Sequence, residues 1–413
     1  MRVVNGVEHV RELGAELWKG GRGPILVAVA GGWLLSLGVR MVYPAILPQL
    51  RADYGLDLTT AGLLITALWG AYALGQLPGG LLDDRFGGGR VLAASTLVSA
   101  VALAFVVTAG SITVIFAATV AFGFATALYG VARFTILAAV YPERGGTAIG
   151  LTMAAGDLGN SLLPPLAGAL AVAVAWQAGL GFSIPLFLLA AAGLSLAVPG
   201  NGRTGESEDA NASRESTNGV GLFDALSKLV TALTRRPVAM VAVIQTLGYC
   251  VWQGFTGFYP TYLVEVKGLA PTTATALFGG FFALGILVKP VAGAAYDAHG
   301  LRRALPVVLV AITASLVVLP LVESTLALVA VTALASSVLG YGTITLTYLT
   351  DSLPAEIRGT GLGSLRTAYM LVGAGSPVVI GVFGDAGYFD EAFWLLAGVA
   401  AVTLVLSVLV PER

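Results

Sequence analysis

The sequence predicts an all-α integral membrane protein of twelve transmembrane helices, arranged as two pseudo-symmetric six-helix bundles. Only 11% of the 413 residues are charged and 57% are hydrophobic, against roughly 25% charged in soluble domains. About 20 apolar residues at about 1.5 Å rise each cross a hydrocarbon layer of roughly 30 Å, and twelve stretches of that length result. The chain also contains itself twice. Adding 213 to a residue number carries Pro24 to Pro237, Gly55 to Gly268, Gly80 to Gly293, Asp84 to Asp297, Gly87 to Gly300, Arg90 to Arg303, Gly150 to Gly363 and Pro164 to Pro377. A repeat held in register through so apolar a chain points to two similar bundles with a substrate path between them.

Taken in order, the first six expected spans are Pro24–Leu47, Leu58–Leu82, Val91–Ala109, Ile112–Tyr141, Ala148–Ala175 and Gly179–Val198. Their mirror set is Pro237–Val264, Pro271–Tyr296, Ala304–Val322, Thr325–Leu349, Gly361–Phe383 and Ala392–Val410. The chain thus divides into an N-terminal segment (1–23), a first bundle (24–199), a linker with a surface helix (200–236), a second bundle (237–410) and a short C-terminus (411–413).

The N-terminal segment lacks the apolar core and cleavage site of a secretory signal. Val10, Leu13 and Leu17 recur at helical spacing opposite Glu12, Glu16 and Lys19, which fits either a helix on the membrane surface or a disordered tail. Residues 200–219 have the composition of a flexible tether. Leu222, Leu226, Leu229 and Leu233 then follow at helical spacing and predict a second surface helix. The Asn211-Ala212-Ser213 sequon falls within the tether and carries little weight.

Sixteen Lys and Arg residues, among them Arg22, Arg85, Arg90, Arg144, Arg235 and Arg303, fall on one membrane side, and only Arg51 and Lys267 on the other. That asymmetry places both termini in the cytoplasm of a multi-pass plasma-membrane protein. The net charge of -1 is dispersed along one membrane face, so no nucleic-acid partner is expected. One cysteine, Cys250, and two histidines exclude a disulfide framework and argue against metal chemistry. No cofactor is expected.

The second span runs into Gly79-Gly80-Leu81-Leu82-Asp83-Asp84-Arg85-Phe86-Gly87-Gly88-Gly89-Arg90, read as a loop. The second copy keeps Gly293, Asp297, Gly300, Arg302 and Arg303, with Ala298 opposite Arg85. Asp84 can face a helix N-terminus and Arg85 can meet carboxylates across a cytoplasmic gate. An ordinary charged turn would explain one copy, whereas two in register favour a gate.

On these residues the chain resembles the major facilitator superfamily of secondary transporters, whose loop pattern GxLxDRxG falls on Gly80, Leu82, Asp84, Arg85, Gly87 and Arg90. Gly88 and Gly89 stand where that family has further basic residues. The resemblance covers nearly the whole chain. It implies bundles built from inverted three-helix repeats, alternating access about a central site, and drive from a gradient rather than ATP, in keeping with the absence of a P-loop motif. Gly150, Gly159, Pro164 and Gly168 partly follow a glycine pattern that the superfamily's proton-coupled antiporters carry, with Leu163 and Ala167 in place of two glycines. Helix packing accounts for the same residues and is the favoured reading. Gly359-Thr360-Gly361-Leu362-Gly363 follows no strand and is read as packing rather than a nucleotide loop.

Five ionisable residues fall inside expected spans: Arg40, Arg133, Asp157, Lys289 and Arg366. Each costs about 2.5 to 3.5 kcal/mol at a helix centre, so each is a functional candidate. Arg40 lies about 24 Å along the first span, within reach of a central cavity, and its repeat mate is Gln253. Arg133 and Asp157 stand at comparable heights on consecutive antiparallel helices and can pair. Two readings stay open: a buried ion pair that sets packing, or a proton site at Asp157 tuned by Arg133. Lys289 and Arg366 sit nearer the cytoplasmic ends and are read as snorkelling or gate residues. Tyr72 and Trp252, with Gln253, can form an amphipathic cavity wall, or the aromatics can simply pack.

No nucleophile and base constellation emerges, so the chain is not read as an enzyme. The expected function is proton-coupled secondary transport of a small organic anion, because deep cations outnumber the one deep carboxylate, with the chain acting as a monomer in the bilayer. Arg40, Gln253, Trp252 and Tyr72 are the expected substrate residues. The alternatives are a proton-coupled multidrug efflux antiporter and, more distantly, a non-transporting receptor.

Overall fold

The computed structural model describes residues 17–198, 222–354 and 358–411, and among these every regular element is helical. The first half holds α1 (Gly23–Tyr54), α2 (Leu58–Phe86), α3 (Gly88–Val107), α4 (Ile112–Val140), α5 (Gly145–Ala173), α6 (Trp176–Gly181) and α7 (Ser183–Ala197). After the surface helix α8 (Leu222–Leu233) come α9 (Arg236–Glu265), α10 (Pro271–His299), α11 (Leu301–Val318), α12 (Thr325–Ala335), α13 (Val338–Ser352), α14 (Arg358–Ala374), α15 (Ser376–Asp385) and α16 (Phe389–Leu409). The pairs α6 with α7, α12 with α13 and α14 with α15 each make one broken span, which gives twelve membrane elements.

Eleven of these spans are long and apolar enough to cross a membrane, so the protein is a multi-pass membrane protein. The element that falls short is α5, although it is 29 residues long. It carries Asp157, Asn160 and the Pro164-Pro165 pair. Asn160 and Pro164 are buried against protein, and a helix face turned to protein need not be apolar. Outward-facing side chains elsewhere are the apolar ones expected against lipid, with Leu189, Leu196 and Leu326 strongly exposed.

Local chemistry accounts for the helix ends. Asp57 caps α2 by accepting from the Thr60 N–H at 2.7 Å, and hydrogen bonds from Thr60 hold its carboxyl below the usual carboxylate range. Ser111 and Ser324 cap α4 and α12 in the same way. Pro377 cannot donate to a preceding turn, and the eleventh span breaks at Gly375, just before it.

The expected loop after the second span proves to be almost wholly helical. α2 continues through Phe86 and α3 begins at Gly88, leaving Gly87 alone to turn the chain at φ 83°. Gly300 does the same between α10 and α11 at φ 72°. Only glycine enters this region without strain. The repeat therefore reaches the backbone dihedrals, since Gly87 and Gly300 are repeat mates.

The surface helix predicted from Leu222 to Leu233 is present. Leu229 and Ala232 pack with Leu353 of the second bundle. The helix expected around Val10 and Leu13 lies outside the described residues, as do the tether and its sequon. Leu17 is buried, and Tyr141 Oη donates to the carbonyls of Leu17 at 3.2 Å and Arg22 at 2.7 Å.

The two faces of the molecule differ. We call the face where α1 begins at Gly23 the terminal face, and the one where it ends at Tyr54 the far face. The bundles meet on the far half. Arg51 of α1 pairs with Glu265 of α9, and Asp385 of α15 binds the start of α2. A Cβ on Gly381 would overlap the Leu58 carbonyl, and one on Gly168 would overlap the Thr275 side chain, so the bundles pack closely on both flanks.

Candidate functional site

Between the bundles lies a cavity of about 590 Å³. It runs from Trp69 and Trp252 near mid-membrane toward the terminal face, past Met153, Pro290, Gly293 and Thr343. All five ionisable residues expected within the spans line it: Arg40, Arg133 and Asp157 from the first bundle, Lys289 and Arg366 from the second. Four cations face one carboxylate, an excess of three positive charges among the lining residues.

Arg40 is fully buried in α1. Its Nε donates to the Ser36 carbonyl one turn back at 2.9 Å, which aims the guanidinium across the helix surface. The guanidinium carbon stands 3.7 Å from the centroid of Tyr72, 4.9 Å from Trp69 and 5.7 Å from Trp33. Aromatic faces stabilise such a cation electrostatically, by about 2 kcal/mol when desolvated. Neither Nη has a hydrogen-bond partner.

Arg133 is built the same way on α4. Its Nε donates to the Gly130 carbonyl at 3.3 Å, and its guanidinium carbon lies 3.5 Å from the Trp33 centroid and 4.2 Å from Phe134. Nη1 has no partner. Trp33 thus stands against both arginines, so their guanidinium carbons are no further apart than those two distances from its ring together. Trp33 is held from behind by Tyr129, stacked at 6.4 Å, whose Oη donates to the Val29 carbonyl at 2.8 Å. A Cβ on Gly156 would collide with the Trp33 indole.

Arg133 and Asp157 are not paired with each other. Asp157 Oδ1 instead accepts from Lys289 Nζ of the opposite bundle at 2.5 Å. The helix heights that suggest the first pairing are compatible, but rotation of α4 turns Arg133 onto Trp33 while α10 presents Lys289 to Asp157. Lys289 and Arg366, expected nearer a helix end, line the cavity itself. Tyr72 and Trp252 line it as well. Gln253 is fully buried and is not among the lining residues, because it projects from α9 on a different side from its neighbour Trp252.

The aromatic wall is wider than the sequence suggests. Trp69 meets Trp252 edge to face at 5.5 Å across the bundle interface, and Tyr249 touches Trp252 at 5.3 Å and Tyr369 at 5.1 Å. Trp33, Trp69, Tyr249 and Tyr369 are wall residues that the sequence reading misses. Their signal is spacing: 33 with 40, 69 with 72, 249 with 252 and 366 with 369 each share one helical face.

The gate residues divide. Asp84, Arg85, Arg90, Asp297 and Arg303 are exposed at the terminal face, and Gly80 and Gly293 are half-buried on the helices leading to it. The neighbouring Asp83, not assigned a role from sequence, is the buried carboxylate of this corner. Thr135 Oγ donates to it at 2.6 Å. On α5, a Cβ at Gly159 would overlap the Leu34 carbonyl, so close packing on α1 accounts for that glycine.

Comparison with known proteins agrees with this architecture. The chain is 27% identical over 395 residues to the "Probable galactarate/D-glucarate transporter GudP" of Bacillus subtilis (strain 168), covering 87% of this chain and 85% of that one. It is 26% identical over 394 residues to the protein of the same name from Escherichia coli (strain K12), covering 88% and 87%. Among solved structures, a bacterial homologue of the human lysosomal transporter Spinster, inward-facing and unoccupied, superposes with a TM-score of 0.80 at 15% identity, covering 95% of this chain and 97% of that one. The nucleoside transporter NupG superposes with a TM-score of 0.77 at 13% identity, covering 94% and 100%. The family profile described as Major Facilitator Superfamily matches residues 28–374 and 241–413. The chain therefore belongs to the major facilitator superfamily and is a secondary transporter rather than an enzyme.

Proposed function

We propose that this chain carries a small sugar acid with two carboxylates across the plasma membrane, coupled to protons, by alternating access. The observation that carries this reading is the state of Arg40, a fully buried guanidinium whose two terminal nitrogens have no partner. A buried uncompensated cation is costly. A substrate carboxylate offsets that cost through two parallel charge-assisted hydrogen bonds. Arg133 supplies a second pole, and Trp33 stands against both. Galactarate and D-glucarate, which appear in the names of the two relatives, have a carboxylate at each end and hydroxyls between. Such a chain suits two cationic poles with an aromatic shelf beside them.

In this reading Arg133 serves the substrate, and Asp157 is the proton site, being the one carboxylate among the lining residues. With both termini in the cytoplasm, the cavity opens inward. Asp84, Arg85, Asp297 and Arg303 are then gate residues that meet across the terminal face when the cavity opens outward. Each chain holds a whole cavity, so a monomer suffices.

The test is the thermal stability of purified protein against panels of organic anions, neutral sugars and lipophilic cations, since a ligand of the folded state raises its apparent stability. Selective stabilisation by galactarate or D-glucarate, lost in Arg40→Gln, is expected. Stabilisation by lipophilic cations instead would overturn the reading in favour of efflux.

A further inference from the structure

Lys289 differs from the two arginines of the cavity in how it is held. Arg40 and Arg133 are pinned through Nε to their own helices and stacked on rings. Lys289 has a flexible stem, its side chain is 36% exposed, and its partner Asp157 is 18% exposed. Its contact with Asp157 is an ion pair that crosses from one bundle to the other inside the cavity. An ammonium with three rotatable donors can change partners where a stacked guanidinium cannot.

We infer that Lys289 couples substrate to proton by exchanging one carboxylate for another: Asp157 holds it in the empty cavity, one of the substrate's two carboxylates, shared with an arginine pole, takes it over on binding, and the released Asp157 takes up a proton. The inference rests on the anion reading of the site. The balance is simple. One Lys289–Asp157 pair is replaced by one Lys289–substrate pair, and one proton from the solution facing the cavity adds to an Asp157 oxygen, with no other bond made or broken. The cavity then gains no lone carboxylate.

The surroundings of Asp157 bear on that step. From the helices packed on α5, Arg40 faces the cavity on α1, Arg133 on α4 and Lys289 on α10, while α6 has no ionisable side chain. The remaining wall adds Tyr72, Tyr249, Tyr369 and Arg366. No second carboxylate among the described residues lines the cavity to take the proton in place of Asp157.

The experiment measures binding of D-glucarate and galactarate by calorimetry, together with proton uptake on binding in weakly buffered detergent solution. Wild-type protein should take up about one proton per substrate bound. Asp157→Asn should bind about fivefold more tightly, because a competitor of about 1 kcal/mol for Lys289 is gone, and should take up no proton. Lys289→Gln should bind more weakly and also lose proton uptake, whereas Lys289→Arg should retain it. Opposite signs of the two affinity changes separate exchange from a merely structural pair, whose removal from either side would weaken binding alike. Unchanged or weaker binding in Asp157→Asn, or proton uptake persisting in it, would overturn the inference while leaving the anion reading standing. If wild-type protein binds no organic anion, both fall. Matching thermal transitions in Lys289→Arg and wild type guard against loss of the fold.

Discussion

Asp385 and Thr59 are joined twice across the bundle interface. One Asp385 carboxylate oxygen accepts from the Thr59 N–H at 2.8 Å and from Thr59 Oγ at 2.5 Å, and the other takes the Leu58 N–H at 2.8 Å. The far end of α15 thereby supplies, from the opposite bundle, the anion that the first turn of α2 lacks partners for. Asp57, on the chain of α2 itself, takes the Thr60 N–H instead.

This latch can exist only while the far face is closed. Asp385→Asn removes the charge and half the acceptor capacity, at about 1 kcal/mol for a cap. The equilibrium should shift toward the far-face-open state by about fivefold. The check is thiol labelling of a cysteine placed beside Thr59 in a background lacking Cys250, the chain's single cysteine. Unchanged labelling would mean that the latch contributes nothing to closure.

Arg40→Gln should abolish measurable stabilisation by galactarate, and Arg40→Lys should fail to restore it. Lysine cannot present a planar pair of donors while lying on Tyr72. Titration of each variant by thermal shift provides the comparison, and recovery in the lysine variant would mean that charge alone suffices.

Asp157→Asn should lose accumulation driven by a pH gradient in proteoliposomes yet retain exchange of internal for external substrate. Exchange needs only the substrate-loaded carrier to reorient, and a neutral residue 157 satisfies that state. Full gradient-driven uptake in this variant would remove Asp157 from coupling.

Gly159→Ala should lower stability by about 1 to 3 kcal/mol, since the added methyl meets the Leu34 carbonyl rather than a mobile side chain. Gly146→Ala, whose added methyl would have no atom within 4 Å, is the control on the same helix. Thermal unfolding of the two variants should separate them.

The twelve spans, the internal repeat and the presence of five ionisable residues within the spans are all written in the sequence, although span boundaries put Lys289 and Arg366 nearer helix ends and the structure puts them in the cavity wall. Each depends on something local: apolar length against bilayer thickness, residue type at a fixed offset, or the cost of a charge within an apolar run. Even the turns at Gly87 and Gly300 declare themselves by residue type. Tertiary structure alone decided which charges meet. Helix rise sets the height of Arg133, Asp157 and Lys289 along the membrane normal, but the rotation of each helix and the docking of the bundles set their direction, and these depend on close contacts such as Gly159 on Leu34 and Gly381 on Leu58. Height is additive along one chain. Direction is a property of packed surfaces far apart in sequence, which is why Asp157 found Lys289 and Arg133 found Trp33.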